Sequence, residues 1–180
     1  MDDIAYMRSR MDILDCLNRY TRGMDRLDRT SALSAFHDDA QLDYGIFVGN
    51  PVEFFDYFYD FHTRFHHSTF HYICNHNCEL EGDIAHTETY FFCPVNNKAE
   101  PKFTLGGGRY IDRFERRGGR WAIAVRKCIG GWDAVQQESA NAEIMRAFAA
   151  VGTIARDESD LSYQRPLTVA PERFGTTRKL

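Results

Sequence analysis

The spacing of apolar residues changes once along this 180-residue chain, close to residue 69, and that change limits the folds open to it. Before it, with one short exception, apolar residues recur at three- and four-residue intervals, the period of helices. After it they alternate, the period of strands. Two pairs of alternating runs make up this second part. "TFHYICNHNCEL" and "IAHTETYFFCPV" flank the turn "EGD", and "KFTLGGGRYIDRFERR" and "RWAIAVRKCIGGW" flank the turn "GG". Helices first and hairpins second is an α+β order, with an antiparallel meander packed against the helices.

In the helical part, Met7, Met11, Leu14, Leu17, Thr21 and Met24 predict a first helix over roughly 3–22, with Gly23 near its end. Thr30 or Ser31 is the expected N-cap of a short second helix carrying Leu33 and Phe36. "AQLDYGIFVG" reads as a strand, the one departure from helical spacing in this half. "NPVEFFDYFYDFHTRF" reads as a helix with Asn50 as N-cap, Pro51 at N1 and Glu53 at N3. Its aromatics are too dense for one face, which predicts burial on most sides. Beyond residue 135, "ESANAEIMRAFAAV" predicts one more helix, followed by a proline-bearing tail. The organisation expected is a domain over 1–135 and a helical, extended extension over 136–180 that packs on the domain or on a neighbouring subunit.

Composition narrows the class. With 43% hydrophobic residues and 14% aromatic, the chain can fill a core. A net charge of -4 with no basic stripe argues against nucleic acid. No apolar run approaches the roughly 20 residues that span a bilayer. Five cysteines behind a charged start, "MDDIAYMRSRMDILD", read as reduced thiols of a cytoplasmic protein.

The stretch "FHTRFHHSTFHYICNHNC" gathers five of the seven histidines. A metal is the first reading to test. Cys74, His76 and Cys78 lie about 6.6 Å apart per pair along a straight strand, too spread for ligands about 2.0–2.3 Å from one zinc. Neither CxxC nor HExxH is present. We therefore expect no metal. His62, His66 and His67 fall at a helix end, where positive charge suits the dipole. Along the strand, His71, Ile73 and Asn75 share one face, and Tyr72, Cys74, His76 and Cys78 the other, so His76 is expected to point away from His71. "TLGGGRY" lacks phosphate-loop spacing and there is no GxSxG. Arg126 falls with Ala122 and Ala124, small residues that leave room for a ligand.

Together "ILDCLNRYTRGMDRLD", "FHDDAQLDYG", "HYICN", "CELEGDIAHTETYFF" and "DRFERRGGRWAIAVRK" resemble the SnoaL-like family of the nuclear-transport-factor-2-like superfamily, in its order and spacing over residues 4–133. The resemblance implies a cone, a strongly curved antiparallel sheet wrapped around N-terminal helices, with one pocket at its mouth. In the family's eliminating enzymes an Asp at the end of the first helix pairs with a His at the start of a strand. Asp25 and His71 stand at the matching positions, as do Arg126, five residues after Trp121, and Tyr20, five before Asp25. The implied catalytic set is Asp25, His71, Arg126 and Tyr20, and the candidate pocket lining is Tyr44, Phe54, Asn75, Tyr90 and Trp132. The implied function is a cofactor-independent lyase, a dehydratase or similar, acting on a small, mostly apolar cyclic or aromatic substrate as a homo-oligomer, dimer or trimer. An isomerase or carbon–carbon lyase using the same base, a non-catalytic binder, and a dioxygenase small subunit remain open beside it.

Overall fold

The computed structural model describes residues 2–136, 155–159 and 163. The chain divides into two units after Gln137, and the helices and sheet of the described residues lie in the first. The expected helix in "ESANAEIMRAFAAV" and the tail beyond it lie outside the described residues, except for the few just named.

Helix α1 (Asp3–Arg26) opens with Asp2, whose carboxylate accepts from the Ala5 N–H at 2.8 Å. Its inward stripe is Ile13, Cys16, Leu17, Tyr20 and Met24, spaced by three and four. The predicted stripe was out of phase in the first half, since Met7, Met11 and Leu14 are exposed. The helix also runs past Gly23 and ends at Leu27 in the left-handed region (φ 53°). Glycine at 23 serves packing, not termination. A Cβ there would stand 2.4 Å from the backbone N of Ala32 in α2 (Arg29–Leu33). Gly23→Ala gains roughly 0.5–1 kcal/mol of helix propensity but forces two backbones apart, an overpacking cost of about 1–3 kcal/mol. Packing wins, so urea unfolding should show a net loss of stability; an unchanged midpoint would refute the close-approach account.

Asp28, not Thr30 or Ser31, caps α2 by accepting from the Ser31 N–H. Phe36 begins strand β1 (Phe36–Asp43) instead of closing the helix. β2 (Val48–Gly49) folds back on β1. Helix α3 (Pro51–Phe65) starts as the sequence indicates, with Asn50 accepting from the Glu53 N–H at 3.0 Å. It is not buried on most sides. Phe54, Phe55 and His62 face inward, while Tyr57, Tyr59 and Phe65 stay at the surface.

β3 (His66–Thr69), β4 (Tyr72–Glu81), β5 (Ile84–Asn97), β6 (Phe103–Arg117) and β7 (Arg120–Gln136) complete one sheet in the order β2-β1-β7-β6-β5-β3, with β4 also on β5. Both hairpins form as read. At the β6–β7 turn Gly118 and Gly119 take φ 58° and 82°, the pairing a two-residue hairpin requires. The sheet is mixed, not wholly antiparallel, because β1 runs parallel to β7. Long strands of 14, 15 and 17 residues curl through bulges at Ile73/His76, Gly107/Gly108 and Arg113/Phe114. The concave face closes on α1, α2 and α3 around Ile13, Leu17, Tyr20, Phe36, Phe54 and Phe114.

Those bulges overturn two expectations of parity. Ile73 pairs with Phe91 but His76 pairs with Thr89, so one extra residue sits between them. Beyond the bulge the inward set becomes His76, Cys78 and Leu80, and His76 Nδ1 meets the fully buried Thr89 Oγ1 at 2.9 Å. His76 therefore points into the cone, whereas Tyr72 and Cys74 are exposed. On β7, Ile123 pairs with Phe114 and Arg126 with Asp112. The bulge between them puts Arg126 on the side of Ile123, not on that of Ala122 and Ala124.

Candidate active site

Asp25 lies in the last turn of α1, where a carboxylate opposes the helix dipole. Three donors offset that cost. Thr69 Oγ1 donates to Oδ1 at 3.0 Å, the His71 backbone N–H donates to Oδ2 at 2.9 Å, and His71 Nδ1 lies 2.6 Å from Oδ1. The two partners are each 12% exposed, buried enough to fix their geometry and open enough to be reached. His71 sits in the two-residue gap between β3 and β4, which both pair with β5. A carboxylate only accepts, so Nδ1 carries the hydrogen and Nε2 is the basic nitrogen.

Across the gap, Tyr72 lies opposite Phe92 and Thr69 opposite Val95. That register places Cys93 opposite His71, and the Cys93 thiol donates to the Pro94 carbonyl at 3.9 Å. Burial pulls the imidazole pKa down. Cys93 and the Asp25 carboxylate outweigh it and hold the ring well above its usual value of 6.5.

Next to this pair stands an aromatic box around a buried ion pair. Arg126 donates from Nε and Nη2 to the two oxygens of Asp112, both at 2.7 Å, with neither side chain exposed. Its guanidinium is sandwiched between the rings of Tyr110 (4.1 Å) and Tyr20 (4.4 Å). Its third nitrogen, Nη1, is buried without a hydrogen-bond partner. The Tyr20 and Tyr44 hydroxyls meet at 2.8 Å, Tyr44 packs on Phe54 at 4.5 Å, and Phe91 stacks on Tyr110 at 4.4 Å. Burial raises the Tyr20 phenol against the pull of Arg126 and His71, so it stays a neutral donor.

Of the residues singled out in the sequence, the fold thus brings Asp25 to His71, and gathers Tyr20, Tyr44, Phe54 and Arg126 in the adjoining box. It does not bring in Asn75, Tyr90 or Trp132. Asn75 is exposed at the β4 bulge. Tyr90 alternates with the inward Thr89 and Phe91 and lies 44% exposed on the outer face. Trp132 stacks on Phe92 outside the cone and covers Gly107. Thr69, Cys93, Tyr110 and Asp112 belong to the assembly but were not singled out. The alternation of "RYIDRF" carried a signal for the last two, since a carboxylate on the face of Tyr110 and Phe114 needs a buried cation. Among the described residues no group of three His, Cys, Asp or Glu side chains could hold a metal ion, and no helix is long and apolar enough to cross a membrane.

A family model described as a SnoaL-like domain matches residues 5–127. No curated protein matches the chain. Among solved structures, the type 2 hexachlorocyclohexane dehydrochlorinase is similar at 22% identity, covering 77% of this chain and 95% of its own, with a TM-score of 0.70. The type 3 enzyme from Novosphingobium barchaimii is similar at 22% identity, with 77% and 97% covered and a TM-score of 0.70. A scytalone dehydratase-like protein from Novosphingobium aromaticivorans shares 17% identity over 78% and 95%, with a TM-score of 0.67. At these identities the likeness establishes the fold, and the fold's neighbours include enzymes named for elimination.

Proposed function

This chain belongs to the SnoaL-like domain family, and from that premise we propose that it is a cofactor-independent lyase, a dehydratase or similar eliminating enzyme, acting on a small, mostly apolar cyclic or aromatic substrate. The observation that carries the reading is the 2.6 Å contact of His71 Nδ1 with an Asp25 carboxylate already held by two other donors. Such a carboxylate fixes the tautomer and stabilises the imidazolium, so Nε2 can take a proton from carbon next to a carbonyl. Tyr20 donates to the carbonyl or to the departing hydroxide. Arg126, its Nε and Nη2 held by Asp112, acts through the Tyr20 ring, where a cation against the π face makes the phenol a stronger donor. We further propose a homo-oligomer, dimer or trimer, in the cytoplasm. An isomerase or a carbon–carbon lyase would share the first proton transfer and differ in what leaves.

The test is turnover of cyclic and aromatic β-hydroxy ketones, followed by the absorbance of the conjugated product. No turnover of any member by the wild-type protein, or turnover that survives loss of His71, would sink the reading.

The raised imidazole pKa sets the pH dependence. Only neutral His71 accepts a proton, so kcat/KM should climb with pH along a limb centred above the ordinary 6.5. Asp25→Asn should move that limb to lower pH. The same shift stabilises the fold fully below the unfolded imidazole value, and that contribution is lost as pH rises through the folded value. A limb centred at or below 6.5 would show that the titrating base is another group.

A further inference from the structure

Three groups stand in series: Asp25 bonded to His71, and His71 opposite Cys93 by strand register. We infer that Cys93 is a second reactive group of this site, a thiol activated by His71 that adds to the β-carbon of α,β-unsaturated carbonyl compounds.

The placement comes from strand pairing. On β5, Phe91 stacks on the buried Tyr110, so Phe91 and Cys93 both face inward and Phe92 faces out toward Trp132. The register on both sides of the β3–β4 gap sets His71 opposite Cys93, and directly opposed side chains have Cβ atoms about 4.5–5.5 Å apart. The imidazole is held from the other side by Asp25. A thiol, an imidazole and a carboxylate in that order form the arrangement that generates a nucleophilic thiolate. On the next strand Gly106 pairs with Cys93, and a Cβ built there would meet nothing within 4 Å. Cys93 is itself only 9% exposed, so a carbon electrophile would reach the thiol through the room that Gly106 leaves.

The other thiols lack this setting. Cys16 donates to the Ala35 carbonyl in the core. Burial pushes Cys16 and Cys128 each up to about 11. Cys74 is exposed on the outer face. Cys78 is buried beyond the β4 bulge.

The substrate class follows from the chemistry, and in this the inference rests on the lyase reading. Elimination β to a carbonyl yields an α,β-unsaturated carbonyl compound beside His71, and a soft thiolate adds to its β-carbon. His71 takes the thiol proton, the C–S bond forms as the carbon–carbon π pair moves toward the carbonyl oxygen, and the imidazolium returns its proton to the α-carbon. No oxidant or second reactant is consumed, and reversal restores both thiol and olefin. Cys93 would thus hold or register the enzyme's own class of product.

The experiment labels the whole protein with acrylamide near neutral pH and follows each cysteine by peptide mass spectrometry. Cys93 should be alkylated at least about tenfold faster than the more exposed Cys74, as expected when a neighbouring base takes the thiol proton. His71→Asn should remove that advantage and leave the Cys74 rate unchanged, which also reports an intact fold. Cys93 labelling no faster than Cys74, or a Cys93 rate indifferent to His71→Asn, overturns the inference. Elimination is assayed on the same samples. Elimination that needs His71 while Cys93 stays inert leaves the lyase reading standing alone. His71-dependent labelling without elimination of any substrate leaves the thiol standing alone.

Discussion

His71→Ala should lower turnover on the order of 10²–10⁴-fold, the contribution typical of a positioned general base, while the protein stays folded. The fold is expected to survive because His71 is partly exposed, at 12%, and because its backbone N–H still reaches Asp25 Oδ2 after truncation. Asp25→Asn should be the more informative partner. The amide keeps the size and can accept from Thr69, but it can present an N–H to Nδ1, which favours the tautomer with hydrogen on Nε2 and removes the basic lone pair from the substrate side. A loss in kcat at nearly constant KM is the expected signature, since the interaction made only in the transition state is the one removed. His76→Ala supplies the control. Although His76 points inward, it is bonded to Thr89, four residues along β5 from Cys93, and its ring has no part in the Asp25 pair. Equal activities of His71→Ala and the wild type would end the lyase reading, and an inactive His76→Ala beside an active His71→Ala would move the base to the other histidine.

What the sequence disclosed and what it withheld divide at the β-bulges. Among the described residues, periodicity located the three helices and both hairpins, because side-chain period is a local property. Asp25 and His71 were legible through the spacing of family segments. Which side chains share a face was not, because each bulge inserts one unpaired residue and exchanges the two faces beyond it. The turn at Gly82 and Asp83 sets Glu81 opposite Ile84 and His76 opposite Thr89. Continued without a bulge, that register would put Pro94 opposite His71. The extra residue between Ile73 and His76 puts Cys93 there instead, and the same residue turns His76 inward and leaves Asn75 outside. Arg126 was grouped with Ala122 and Ala124 for the same reason, although its guanidinium does turn inward. Aromaticity does not separate Trp132 and Tyr90 from the inward rings, because the outer face of this sheet uses it as freely as the inner one, in the stack of Tyr72, Phe92 and Trp132.

The largest effect on stability should come from Asp112, whose only mark in the sequence is its place in the alternation of "RYIDRF". Asp112→Ala leaves the guanidinium of Arg126 charged and buried with no counter-ion. Burial acts to lower the Arg126 pKa, and Asp112 is the chief influence that overcomes it and holds the group well above its ordinary value. Truncating one member of such a pair costs about 3–5 kcal/mol, a large part of the roughly 5–15 kcal/mol by which a domain is stable. Arg126→Lys should cost less but still more than a surface exchange. An ammonium cannot make the two parallel bonds at 2.7 Å that Nε and Nη2 make, nor fill the flat slot between Tyr20 and Tyr110. The double replacement Asp112→Leu with Arg126→Met tests whether the pair is needed for folding or for the site. Apolar residues of similar volume often restore or exceed the stability of a buried ion pair. The double variant should therefore unfold near the wild-type urea midpoint, while its turnover falls because no cation remains behind Tyr20. If Asp112→Ala shifts stability by less than about 1 kcal/mol, the value of an exposed pair, then the pair is reached by water and the box around it is not closed. If the double variant is stable and fully active, Arg126 serves the fold alone and Tyr20 needs no help from it.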